Sequence, residues 1–156
     1  MKILFVGPGL LPIPPKGWGG IEHLVWDMKL ALTKLNHDVK IVNTTNPKEI
    51  IYEINNYRPD FVHVQYDDWV LLCPYIQYPC AISTHFAYIE QVEKMSDYKQ
   101  RVFDHYPKVK PNIFALSDGI IKTYRGVGIP DKNLFLTPNG LDIDAYTFTE
   151  TPVYPD

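Results

Sequence analysis

Short apolar runs alternate with helix-forming segments along this chain, and that alternation limits the fold more than any other feature. Strands are expected at residues 2–6, 39–43, 61–65, 80–84, 112–116 and 134–137. Between them, helical spacing marks residues 22–35, 48–56, 88–106 and 117–124. Ile21, Leu24, Val25, Met28, Ala31, Leu32 and Leu35 recur at three- and four-residue intervals, as one helix face does. Met95, Tyr98, Val102, Phe103 and Tyr106 form a second such set. Ser117 suits the start of a helix, since its hydroxyl can take a free N–H, and Gly126 and Gly128 suit its end. Short apolar strands joined by helices pair in parallel and are covered on both faces. The expected strand order is 3-2-1-4-5-6, with right-handed crossovers.

In such a sheet, ligands bind beyond the carboxyl ends of the strands. There the first strand runs into a proline-broken loop and then into Gly17-Trp18-Gly19-Gly20-Ile21-Glu22 at the start of the first helix. Paired glycines at that point leave backbone N–H groups bare, and the helix dipole adds partial positive charge. Gly19 and Gly20 are either a turn or an anion site, and the order strand, loop, helix favours the anion site. A dinucleotide fingerprint fails, because Pro12 stands where the third glycine of the G-x-G-x-x-G pattern belongs. The second strand ends in Asn43-Thr44-Thr45-Asn46, with no acid for a ribose. No G-K-[ST] phosphate loop occurs.

His85 stands alone at the end of an apolar strand, where a ring nitrogen either reaches a ligand or caps the strand. His63 alternates with Val62 and Val64 and is expected to be packed and hydrogen-bonded. Trp18, Tyr66, Trp69, Phe86 and Tyr88 fall in or near the same strand-end loops, beside Asp67 and Asn139. Aromatic faces with polar neighbours suit a sugar ring, although core packing claims several such rings. Asp67 and Asp68 are adjacent, and neighbours in extended chain point apart, so a shared metal ion is not expected. Ser117 lacks a G-x-S-x-G elbow, and neither cysteine has a histidine at a recognisable spacing.

Composition closes off other classes. A chain of 156 residues with a net charge of −3 is one ordinary domain without a broad pull toward nucleic acid or anionic membrane. No run approaches the ~20 apolar residues of a membrane span. Cys73 and Cys80 make a weak case for a disulfide, so a reducing, cytoplasmic setting is expected.

Four segments together resemble the N-terminal domain of retaining glycosyltransferases of family 4, which have the two-domain GT-B fold. They are Pro15-Lys16-Gly17-Trp18-Gly19-Gly20-Ile21-Glu22, Pro59-Asp60-Phe61-Val62-His63-Val64-Gln65, Ile82-Ser83-Thr84-His85 and Pro138-Asn139-Gly140-Leu141-Asp142. The likeness runs from Lys2 to about Phe148, with Gln65 where the family's third-strand motif has a second histidine. The resemblance implies an α/β, Rossmann-like three-layer domain over residues 1–143, with a mostly parallel sheet, and a linker over 144–156 toward a second domain. It implies a nucleotide-diphosphate sugar as donor, transfer with retention, no metal and no other cofactor. Gly19 and Gly20 would approach the donor's diphosphate, and His85 would lie near the transferred sugar as the catalytic residue.

This domain would mainly bind the acceptor, a sugar or glycan. Trp18, Glu22, Tyr66, Asp67, Tyr88 and Asn139 are the candidate contacts. A second Rossmann-like domain, in cis or in trans, would hold most of the nucleotide, and this chain alone would be inactive. The charges over residues 88–106 are mixed and give no basic face for docking on a membrane. Two rivals remain open: a non-catalytic carbohydrate- or phosphate-binding module of the same fold, and a flavodoxin-like nucleotide-binding domain.

Overall fold

The computed structural model describes residues 1–85 and 87–140, with backbone only at positions 87, 88 and 90. Leu141, Asp142 and the expected linker over 144–156 lie outside the described residues. The elements run β1 (Lys2–Val6), α1 (Gly20–Lys34), β2 (Asp38–Val42), α2 (Pro47–Tyr57), β3 (Phe61–Val64) and a 3₁₀ segment (Asp67–Tyr75). They continue with β4 (Cys80–Thr84), α3 (Ser96–Arg101), α4 (Tyr106–Val109), β5 (Asn112–Ala115), α5 (Asp118–Gly126) and β6 (Leu134–Leu136). All six strands pair in parallel in one sheet with helices on both faces, a Rossmann-like three-layer α/β arrangement. Ser117 caps α5 as expected, its Oγ accepting from Ile120 N at 3.1 Å.

The strand order is β2-β1-β3-β4-β5-β6, so the expected 3-2-1-4-5-6 is corrected: β3 lies beside β1, not beyond β2. The two helices on either side of β2 explain why. Val25 of α1 packs with Ile3, Phe5 and Val39 on one face of the sheet. Ile50 and Ile54 of α2 pack with Leu4, Val6 and Val42 on the other. Right-handed crossovers on opposite faces carry the chain in opposite directions, so the α2 crossover returns it past β1. Lys40 and Glu53 tie β2 to α2 with an ion pair at 2.5 Å.

The core is lopsided. Every described helix other than α1 that buries a side chain sends it to the α2 face, including Tyr98, Tyr106, Ile120 and Tyr124. On the α1 face, beyond β1, aromatic side chains cross the strands. Ala81 and Ser83 of β4 are small, and over them the His63 ring meets Phe114 edge-on at 4.9 Å. His63 is hydrogen-bonded as expected, its Nε2 2.6 Å from Ser83 Oγ.

The single helix expected over 88–106 is corrected to a broken series of turns. Met95 and Val102 leave helical geometry, with φ of −124° and −126°. Pro107 has no N–H to donate back to Phe103, and α4 begins at that point. The helical spacing was real in that Tyr98, Val102, Phe103 and Tyr106 all face the core.

Those turns close over a buried carboxylate. Asp67, 2% exposed, accepts from Thr84 Oγ1 at 3.0 Å and from the Tyr106 hydroxyl at 2.5 Å. Because Thr84 donates to Asp67, the Tyr124 hydroxyl, 2.6 Å away, donates to Thr84. The Tyr98 hydroxyl faces the same carboxylate and adds to its stabilisation. Burial pushes the Asp67 carboxyl up to about 6, against these donors, which pull it down. Thr84→Val keeps the shape but takes one donor from Asp67 and orphans Tyr124. It should lower unfolding free energy by about 1–3 kcal/mol in urea titrations, without changing the fold.

Candidate functional site

The first loop reaches the strand ends because Asn43 holds it there. Asn43 Oδ1 accepts from Gly9 N and Asn43 Nδ2 donates to Leu11 O, both at 2.8 Å. Trp69 Nε1 donates to Gly7 O at 3.0 Å from the other side. Gly9 has a φ of 78°, and a Cβ there would come within 2.4 Å of Thr44 backbone, so only glycine fits. The position where a ribose-binding acid would stand is thus occupied by a loop clamp.

Beyond the loop, α1 starts without a side-chain cap. Gly19 has a φ of 148°, and a Cβ there would lie 3.0 Å from Glu22 Oε2. Gly20 has open space around it. The backbone N–H groups of the first turn have no intrahelical partner, so they are available at this end. His23 Nε2 donates to Gly17 O at 2.8 Å and so ties the loop back onto α1. Trp18, between these anchors, is 90% exposed.

These parts enclose one side of a cleft of about 840 Å³ at the carboxyl ends of β1, β3, β4 and β6, of the size small-molecule sites have. Of the expected residues, Trp18, Gly20, Glu22, Tyr66, His85 and Asn139 all line it. Gly19 shapes the helix start behind it and is not a lining residue. Asp67 does not reach the cleft, because its carboxylate is taken up by Thr84 and Tyr106 beneath. The Tyr88 side chain and Phe86 lie outside the described residues.

Sequence reasoning missed His23, Leu24 and Asp27 as lining residues. The signal was present: with Gly20 they recur at three- and four-residue intervals along α1, a polar-edged stripe beside the buried one. Leu24 was assigned to the core face, but the core stripe is Val25 with Ile21, Met28 and Leu32 packed around it, and Ala31 and Leu35 are exposed.

His85 joins the cleft to the sheet. Its Nε2 lies 2.8 Å from Gln65 Oε1, and the carbonyl oxygen only accepts, so Nε2 carries the hydrogen and Nδ1 keeps a lone pair. Gln65 is fully buried, and its Nε2 has no partner among the described residues. Burial pushes the His85 ring down to about 4, and His63 down to about 3, with the His85 ring adding to the latter. At neutral pH His85 is therefore an uncharged hydrogen-bond acceptor and a weak base. Tyr66 has its hydroxyl against Asp68, which Arg101 pairs from α3.

Among the described residues no Lys or Arg lines the cleft, whereas Glu22 and Asp27 do. No group of three His, Cys, Asp or Glu side chains is placed to hold a metal among those residues. What the arrangement can do is orient a hydroxylated ring between Trp18, Asn139, Glu22 and the His85 lone pair. Compared with models of known protein families, with characterised proteins and with solved structures, the chain matches none.

Nitrogen-15 correlation spectra should show His85 as the Nε2–H tautomer, neutral down to about pH 4. Its folded pKa lies below the usual value near 6.5, so protonation disfavours the folded state as pH falls through that window. Ligand affinity that depends on Nδ1 should be flat from pH 8 to about 5 and fall as pH nears 4.

Proposed function

We propose that this chain is the acceptor-binding domain of a glycosyltransferase that moves a sugar from a nucleotide-diphosphate donor with retention. The observation that carries this reading is the strand-end cleft, rimmed by an exposed tryptophan and supplied with carboxylate, amide and neutral imidazole groups. A pyranose ring has apolar C–H faces for Trp18 and hydroxyl edges for Asn139, Glu22 and His85. With no Lys or Arg lining the cleft among the described residues, this domain offers a donor diphosphate chiefly the bare N–H groups around Gly19 and Gly20. The nucleotide and most phosphate charge then fall to a second Rossmann-like domain, in cis or in trans, and no metal is required. His85 acts on the acceptor or the transferred sugar by accepting a hydroxyl hydrogen bond and so fixing its direction, a positioning contribution to the reaction.

Two free thiols fit a reducing, cytoplasmic setting, and among the described residues no helix is long and apolar enough to cross a membrane. The second reading is a carbohydrate-binding module without turnover. It is favoured by one observation: His85, buried and uncharged, is a weak base at neutral pH.

Trp18→Ala should weaken saccharide binding by about tenfold, or roughly 1.4 kcal/mol, in calorimetric titrations with neutral disaccharides. The thermal midpoint should stay within a degree or two, since Trp18 is exposed. Unchanged affinity would remove the stacking platform from the account. Sugar transfer should require addition of the second domain, and turnover by the purified chain alone would contradict the division of labour.

A further inference from the structure

The charge of the cleft narrows the acceptor further. Glu22 is 5% exposed, lines the cleft, and its carboxylate makes no hydrogen bond or ion pair among the described residues. Its carboxylate oxygens open to the cleft, where water solvates them, and a ligand that displaces that water must itself compensate the charge. The N-terminal turn of α1 supplies part of that compensation through its dipole.

Among the described residues no side chain supplies the rest. Asp27 adds a second carboxylate to the same cleft. His23 is committed through Nε2 to Gly17 O. Lys16 is exposed on the loop and does not line the cleft. Phe86, residues 87, 88 and 90, and residues 141–156 include no Lys, Arg or His at all, so none of them can be the missing cation. A ligand that fills the cleft is favoured if it brings a cation of its own, and Trp18 offers that cation a ring face of the kind that attracts it.

We propose that the acceptor is an amino sugar whose protonated amine is received by Glu22, with Asp27 and the Trp18 ring adding attraction at the mouth. A neutral polyol would satisfy the lone pairs of Glu22 but leave its charge uncompensated, and a phosphorylated or uronic acceptor would be repelled. This inference rests on the carbohydrate reading of the cleft.

The test is a titration of the purified chain with three disaccharides of the same linkage that differ at C2: the β-1,4-linked glucosamine dimer, its N-acetylated form and cellobiose. Working pH is held where the amine is protonated. The glucosamine dimer should bind on the order of tenfold more tightly than the other two, as a charge-assisted bond in a sheltered site does. The preference should shrink as salt is raised. Glu22→Gln should remove it, and Asp27→Asn should reduce it. The ligand series on the unaltered chain decides the matter even if Glu22→Gln fails to fold. Equal binding of all three sugars would overturn the amine proposal and leave the carbohydrate reading standing. Binding of none, with a nucleotide-diphosphate sugar bound instead, would overturn both.

Discussion

The place of β1 between β2 and β3 decides where anything can bind to this protein. Hydrogen bonding to a strand on each side fixes β1 at the point where the chain changes direction across the sheet. The segments leaving β1 and β3 therefore diverge, one toward α1 and the other toward the 3₁₀ segment, and a crevice opens between them. Asn43 holds the first of these segments from the β2 side, and Trp69 ties it to the second. Asp67 then anchors the second through Thr84 and Tyr106. Each anchor is a polar group at least partly buried and tied by hydrogen bonds, so the cleft walls are set by those bonds.

The chemistry of the cleft follows from what those anchors leave free. They consume Asp67, an expected acceptor contact, and Asn43 beyond the end of β2. They leave Glu22, Asp27, Asn139, the His85 lone pair and the Trp18 face. That set is rich in hydrogen-bond acceptors and carries negative charge without a matching cation. It suits a ligand with many donors, and it is a poor place for a diphosphate unless another domain brings the positive charge. The uncharged His85 ring points the same way, since burial has taken from it the basicity that chemistry at neutral pH would use.

The strands and the gathering of polar residues at their carboxyl ends were legible in the sequence, because both depend on local periodicity. Val62-His63-Val64 and Cys80-Ala81-Ile82 read as strands for the same reason that they are strands: their neighbours pack on both faces. The strand order was not legible. It depends on which face of the sheet Ile50 and Ile54 choose, and α2 carries the same amphipathic pattern for either choice. The turns over residues 88–106 show the same limit: spacing identified the buried side chains but not the breaks at Met95 and Val102. At the site, Asp67 and Glu22 both read from the sequence as acidic ligand contacts. Only the packing shows that one has three hydroxyl groups around it and the other has open cleft.

The central claim is that the strand-end cleft is a saccharide site. Chemical-shift mapping on the nitrogen-15-labelled chain, titrated with glucosamine-containing oligosaccharides, tests it most directly. The account predicts saturable shifts at Gly20, Glu22, Tyr66, His85 and Asn139 and at the Trp18 indole, with Asp67 and Asn43 little changed. Shifts confined to another surface, or none in the cleft while a nucleotide-diphosphate sugar perturbs it, would contradict it.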